Sequence, residues 1–105
     1  MKVFYITFIL FSLNVFSDEI LIIDVRTEKE YQSGHIENAS NIEWQDISLI
    51  QESIKKDTKI YLYCRSGNRS QKATDILYKL GYKDVLNIGG LDEAAIFLNK
   101  KIVND

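Results

Sequence analysis

The sequence lacks several features that would assign it to a class of protein. None of its 105 residues is proline, so nothing marks an extended linker, and the length fits one domain. The single cysteine, Cys64, excludes an intramolecular disulfide. Lysine and arginine form no cluster, and the formal net charge is −2, which argues against nucleic acid or an anionic membrane surface as a partner. With 46% hydrophobic and 27% charged residues, the chain has the composition of an ordinary globular protein.

Residues 1–17 have the pattern of a secretory signal peptide. Lys2 is followed by a mostly apolar run through residue 13, and small or aliphatic residues then precede the acidic pair Asp18-Glu19. We expect cleavage after Ser17, which leaves residues 18–105 as the mature domain of an exported, periplasmic protein without stable membrane association. The apolar run is shorter than the about 20 residues of a membrane-spanning helix. The alternatives are a buried first element of the domain and an uncleaved anchor.

Strand-like and helix-like segments alternate through the rest of the chain. Apolar runs predict strands at residues 20–23, 59–63 and 85–88, and residues 41–43 are predicted as a further, weak strand. Caps and apolar stripes predict helices at residues 28–31, 47–54, 73–80 and 91–98. This alternation predicts an α/β fold, with a single parallel β-sheet flanked by α-helices on both faces. Sites in such sheets lie at the carboxyl ends of strands, and Cys64 directly follows the strand at 59–63.

The segment from Cys64 to Ser70 combines a thiol, two arginines and small residues between a strand and a helix. Such a loop can turn successive N–H groups inward as an anion-binding nest, to which the helix adds further N–H groups. We expect a thiol at the rim of this nest to have a lowered pKa and raised nucleophilicity, whereas a buried, inert cysteine is the alternative. Arg65 and Arg69 would supply positive charge that attracts anionic substrates. The candidate catalytic residue is Cys64, and the candidate substrate-binding residues are Arg65, Ser66, Gly67, Asn68, Arg69 and Ser70.

This loop resembles the active-site loop of rhodaneses, in which a cysteine opens a loop that ends in arginine and a serine or threonine. The similarity extends over roughly residues 19–98 and includes several short motifs. They are Asp24-Val25-Arg26, Glu30-Tyr31, Gly34-His35-Ile36, Ala39, Asn41-Ile42, Gly81-Tyr82 and the segment from Val85 to Leu91. With the expected leader, the chain is most similar to the phage-shock-protein-E type of periplasmic rhodanese.

The resemblance implies a thiosulfate sulfurtransferase that works through a persulfide on Cys64. Its partners would be a small anionic sulfur donor and a thiol or cyanide acceptor, and no metal or organic cofactor would be required. Asp24 and Arg26 would support the site, with a purely structural role in the turn after the strand as the alternative. His35 would belong to a turn, with a catalytic base as the alternative. Leu91 stands where family members often carry tryptophan, and we expect Trp44 to pack in or beside the core.

Two other functions remain open at this stage. The domain could be a sulfur carrier or a partner-binding module rather than a general catalyst. It could also be a cysteine phosphatase or arsenate reductase, since these use a similar loop on a related fold. Their loop has five residues between cysteine and arginine, whereas only four separate Cys64 from Arg69. The tighter loop favours transfer of a single sulfur atom over binding of a tetrahedral oxyanion.

Overall fold

The computed structural model describes residues 19–104, and its central feature is a parallel β-sheet. The strands are β1 (Ile20–Asp24), β2 (His35–Ile36), β3 (Ser40–Asn41), β4 (Lys59–Cys64), β5 (Val85–Gly90) and β6 (Ile102–Val103). Four of these form the sheet in the order β3-β1-β4-β5, with every neighbouring pair parallel. The two remaining strands, β2 and β6, form a separate antiparallel pair.

Helices cover both faces of the sheet, which confirms the predicted α/β architecture. They are α1 (Glu28–Ser33), a 3₁₀ helix (Trp44–Glu52), α2 (Asn68–Lys79) and α3 (Leu91–Leu98). Residues of β4 show how the layers are divided. Ile60 and Leu62 are buried in one cluster with Leu77 of α2, while Tyr63 is buried in another with Ala94 of α3. A strand that is buried on both faces must be apolar at successive positions, as β4 is.

The helix after β3 differs from the prediction in type and in extent. It begins at Trp44 rather than at Ile47, ends at Glu52, and is a 3₁₀ helix. Its buried residues, Ile47 and Ile50, are three positions apart, and residues with this spacing lie on one face of a 3₁₀ helix. Trp44 is half-buried against the core, as expected.

The strand pair β2–β6 was not predicted. Each strand has two residues, which is too short for a periodic pattern, and the pairing of His35 with Val103 joins distant parts of the chain. His35 therefore lies in a strand and not in the predicted turn. The weak strand expected at 41–43 is β3, which lies one residue earlier at Ser40–Asn41. Within residues 19–104, no helix is long and apolar enough to cross a membrane.

A buried ion pair fixes the end of β1. The Arg26 guanidinium lies 2.7 Å from the Asp24 carboxylate, and the two residues are 5% and 0% exposed. The same guanidinium donates to the carbonyl oxygen of Gly34 at 2.6 Å, just after α1. The pair therefore holds α1 against the carboxyl end of the sheet, which is where β4 delivers Cys64.

Candidate active site

Cys64 is the last residue of β4 and is almost completely enclosed. Only 1% of the residue is exposed, although the sequence predicted a thiol at the rim of its loop. The difference arises because the loop folds back over the end of the strand and approaches β5. Gly90 permits this approach, since a Cβ atom at that position would overlap the carbonyl oxygen of Arg65. Enclosure alone does not make the thiol inert, because the loop surrounds it with hydrogen-bond donors.

Two donors contact the sulfur directly. The backbone N–H of Gly67 donates to Cys64 Sγ at 2.9 Å, and Ser70 Oγ lies 3.3 Å from the same atom. Gly67 has a φ of 103°, in the left-handed region that glycine tolerates best. Ser70 belongs to the first turn of α2 and is fully buried. The loop residues and the start of the helix thus converge on one sulfur atom.

These donors lower the pKa of Cys64. Burial is the largest single influence and opposes ionisation, because a thiolate loses solvation in an enclosed site. The Ser70 hydroxyl and the backbone N–H groups of Ser70, Ser66 and Gly67 favour the thiolate, and together they outweigh burial. The pKa therefore falls below that of an ordinary thiol, in the direction that the loop pattern predicts.

Arg69, which the sequence predicts to supply positive charge to the site, forms an ion pair with Glu30. Its guanidinium makes two hydrogen bonds to the Glu30 carboxylate of α1, at 2.7 and 3.0 Å. This bidentate pair lowers the pKa of Glu30 to about 2, and hydrogen bonds from Thr27 act in the same direction. Glu30 and Thr27 also form the capping box at the start of α1. Arg69 therefore connects the loop that carries Cys64 to a neighbouring helix.

An open cleft of about 510 Å³ lies beside the loop. It is lined by Arg26, Glu30, Ser33, Arg65, Gly90, Leu91, Asp92 and Glu93. Arg26 is paired with Asp24 and Glu30 with Arg69. Within residues 19–104, the exposed Arg65 has no carboxylate within ion-pair distance. Arg65 is therefore the arginine in this cleft whose charge is available to a bound anion.

The other residues singled out in the sequence lie either on the surface of the loop or in buried positions that serve the fold. Ser66 and Asn68 are exposed on the loop and at the start of α2. Asp24 and Arg26 are buried at the end of β1, where they hold the fold together. His35 is buried, its Nδ1 lies 2.8 Å from the carbonyl oxygen of Tyr31, and its ring stacks on the Tyr31 ring. No cluster of histidine, cysteine or acidic side chains able to hold a metal ion occurs among the described residues.

Sequence reasoning missed three residues that shape the site. Glu30 was noted only as part of a family motif, although it pairs with Arg69. Gly90 was noted only within the motif segment from Val85 to Leu91, although it permits the close approach of the loop. Asn87 was not considered, yet its side chain contacts both Ser70 and Gly67. The sequence offered one signal for Asn87, which is a polar residue within the apolar run of β5, two positions before the paired glycines.

Comparison with known proteins identifies the family to which the chain belongs. A family model described as a rhodanese-like domain matches residues 11–95. The chain belongs to the rhodanese-like domain family. Thiosulfate sulfurtransferase PspE of Escherichia coli is 36% identical over 90 residues, which cover 84% of this chain and 86% of PspE. A solved structure of a rhodanese with anions from E. coli superposes with a TM-score of 0.66 and 32% identity, and covers 71% of this chain and 91% of that one.

Longer relatives contain a similar segment. The putative sulfur carrier protein YrkF of Bacillus subtilis is 35% identical over 79 residues, which are 74% of this chain but 43% of YrkF. The adenylyltransferase and sulfurtransferase UBA4 of Candida albicans is 36% identical over 91 residues, which are 78% of this chain but 21% of UBA4. The chain is therefore a member of a rhodanese-domain sulfurtransferase family, and it spans less than half of the length of these two relatives.

The Glu30–Arg69 pair should make the free energy of unfolding depend on pH. A carboxyl group whose pKa is lowered stabilises the fold above its ordinary pKa, and this contribution is lost as the pH falls through the folded value. Replacement Glu30→Gln should therefore lower the free energy of unfolding by about 1–3 kcal/mol near pH 7, the scale of hydrogen bonds to a charged group. The difference from wild type should shrink as the pH falls from 4.5 to about 2.

Urea unfolding at a series of pH values measures this difference. The control is Glu28→Gln, which removes an exposed carboxylate from the same helix and should change stability by less than about 1 kcal/mol. A Glu30→Gln penalty that stayed constant or grew toward pH 2 would contradict the assigned ion pair.

Proposed function

We propose that the protein is a thiosulfate sulfurtransferase that carries sulfur as a persulfide on Cys64. The observation that carries this proposal is the Gly67 N–H, 2.9 Å from Cys64 Sγ, in a loop whose donors lower the pKa of the thiol. The lowered pKa increases the share of Cys64 that is present as the nucleophilic thiolate. The similarity to PspE over most of both chains supports thiosulfate as the donor.

In the first step, the Cys64 thiolate attacks the outer sulfur of thiosulfate. The new bond joins Sγ to that sulfur, the sulfur–sulfur bond of thiosulfate breaks, and its electron pair leaves with sulfite. The outer sulfur keeps the negative charge that it has in thiosulfate, and the charge of the thiolate leaves with sulfite, so that no proton and no external oxidant is needed. The N–H groups of the loop would stabilise this anionic sulfur, as they stabilise the thiolate.

In the second step, a nucleophilic acceptor takes the outer sulfur. Cyanide attacks that sulfur, the persulfide bond breaks, and its electron pair returns to Sγ, giving thiocyanate and the Cys64 thiolate. A thiol acceptor would react in the same way as its thiolate. Arg65 would attract the dianionic donor to the cleft, while Ser66, Gly67, Asn68 and Ser70 would form the walls and donors of the loop.

A sulfur carrier is the second candidate, and the similarity to YrkF favours it. It would use the same persulfide but would pass the sulfur to a specific acceptor. The two functions differ in the second step, because a carrier forms the persulfide quickly and turns over slowly with cyanide. The intact mass of the protein after treatment with thiosulfate, compared with its turnover toward cyanide, separates them.

We also propose that residues 1–17 are a signal peptide and that the mature domain, residues 18–105, acts after export to the periplasm. Mass spectrometry of the exported protein from its native host should give Asp18 as the amino-terminal residue. The cytoplasmic precursor from the same cells is the control and should retain Met1. Exported protein that still began at Met1 would contradict the proposed cleavage.

Replacement Cys64→Ser should abolish sulfur transfer and leave the fold intact. Serine is nearly the same size, but its hydroxyl is not ionised at neutral pH and forms no persulfide. Intact-mass analysis should show one added sulfur atom on the wild type after thiosulfate and none on the variant, with matching circular dichroism spectra. Residual turnover of a folded variant at a substantial fraction of the wild-type rate would refute the mechanism, because the chain has no second thiol.

The two arginines of the loop should have different effects. Arg65→Ala should raise KM for thiosulfate about tenfold, the equivalent of about 1.4 kcal/mol, with little change in stability because the side chain is exposed. Arg69→Ala should mainly lower the free energy of unfolding, because it leaves Glu30 without its partner. Lys83→Ala, which removes an exposed cation before β5, is the control and should change neither quantity.

Steady-state kinetics at two salt concentrations, together with urea unfolding, test this assignment. The KM difference between wild type and Arg65→Ala should diminish as salt screens the charge. An unchanged KM in Arg65→Ala, or a larger KM effect in Arg69→Ala at equal stability, would show that the donor is captured elsewhere.

A further inference from the structure

Asn87 of β5 makes four hydrogen bonds around the loop that carries Cys64. Its Oδ1 accepts from Ser70 Oγ at 2.7 Å and from the Gly89 N–H at 3.0 Å. Its Nδ2 donates to the carbonyl oxygen of Gly67 at 3.0 Å and to Gln71 Oε1 at 3.0 Å. The side chain thus touches both residues whose groups contact the sulfur, although it does not contact the sulfur itself.

The orientation of this amide is fixed by its partners. A backbone N–H can only donate, so the atom that faces Gly89 must be the oxygen. A carbonyl oxygen can only accept, so the atom that faces Gly67 must be the nitrogen. Because the oxygen of Asn87 has no proton to give, the short contact with Ser70 requires the hydroxyl of Ser70 to donate.

The Ser70 hydroxyl therefore has one proton and two acceptors. Asn87 Oδ1 is 2.7 Å away and Cys64 Sγ is 3.3 Å away, and the buried side chain is not open to water. When Cys64 is a thiol, the Ser70 hydroxyl can donate to Asn87 Oδ1 while the thiol donates to Ser70 Oγ. When Cys64 ionises, the hydroxyl can turn its proton to the thiolate, and Asn87 Oδ1 keeps its bond from Gly89.

We propose that Asn87 is a positioning residue for Cys64. It holds the Gly67 carbonyl, so that the Gly67 N–H stays directed at the sulfur, and it is the alternative acceptor for the Ser70 proton. Its effect on the ionisation of Cys64 follows from this geometry alone. Its effect on sulfur transfer rests on the proposed function.

The charged groups around Cys64 lie on its loop and on four secondary-structure elements. They are Arg65 and Arg69 on the loop and α2, Glu30 on α1, Asp24 and Arg26 at the end of β1, and Glu93 on α3, whose carboxylate accepts from the Gly90 N–H. Carboxylates and guanidiniums do not ordinarily change charge between about pH 6 and about pH 9. The neighbouring Tyr63 on β4 has a raised pKa because it is buried. The ring of His35, on β2, stacks on Tyr31 of α1.

Replacement Asn87→Asp tests the proposal with a side chain of the same shape. It keeps an oxygen that accepts from Ser70 and Gly89, but it exchanges the donor to Gly67 for a second oxygen that repels the carbonyl. The negative charge also opposes the thiolate and holds the Ser70 proton more strongly. The pKa of Cys64 should rise by about one to two units, the scale of one hydrogen bond to a charged group.

The ultraviolet absorbance of the thiolate, titrated against pH with the Cys64→Ser protein as the blank, measures this shift without any sulfur transfer. The control Gln71→Ala removes the exposed partner of the Asn87 amide and should leave the titration unchanged. A folded Asn87→Asp protein that titrates as the wild type does would overturn the proposal. If the titration of Asn87→Asp is shifted but the wild-type protein forms no persulfide, the proposed function alone is refuted.

A double-mutant cycle gives a second test that does not need the aspartate variant. Ser70→Ala should raise the pKa of Cys64, and it should raise it more in an Asn87→Ala background, where the hydroxyl has no acceptor other than the sulfur. The two replacements should therefore be non-additive by at least about half a pKa unit, the equivalent of a coupling above about 0.6 kcal/mol. Strictly additive shifts would show that Asn87 does not control the Ser70 proton.

Discussion

A thiolate formed in an enclosed site must receive hydrogen bonds from the protein, because little water reaches it. Cys64 is enclosed in this way, and its sulfur faces the Gly67 N–H and the Ser70 hydroxyl. The donors are held in place by contacts outside the loop. Gly90 lets the loop approach β5, and Asn87 binds the Gly67 carbonyl. The geometry around one sulfur atom therefore depends on residues that are distant in the sequence.

Most of the charge around this site is already paired. Asp24 and Arg26 neutralise each other in the core, and Glu30 and Arg69 do so between α1 and α2. These pairs fix the elements that surround the loop, and they leave Arg65 as the exposed arginine at the cleft. A site of this kind can attract a small dianion with one side chain while the paired charges maintain the structure.

Patterns of several residues predicted the parts of the fold that rest on long, regular elements. The apolar run of β4 and the stripe of α2 specified a parallel sheet with helices, and α3 has the predicted limits of Leu91–Leu98. Short elements were mistaken or missed. The helix at Trp44–Glu52 is of the 3₁₀ type, and the two-residue strands β2 and β6 have no local pattern, because their pairing is decided by tertiary contact.

The same division holds for the site. The sequence by itself determined that Cys64 follows a buried strand and opens a loop with small residues before a helix, and this local order supplies the donors that favour a thiolate. Only the tertiary structure decided that the thiol is enclosed, that Arg69 is occupied by Glu30, and that Asn87 reaches Ser70. These facts depend on which residues of separate elements meet across space. Packing and sheet register decide these contacts, and a local pattern of residues does not predict them.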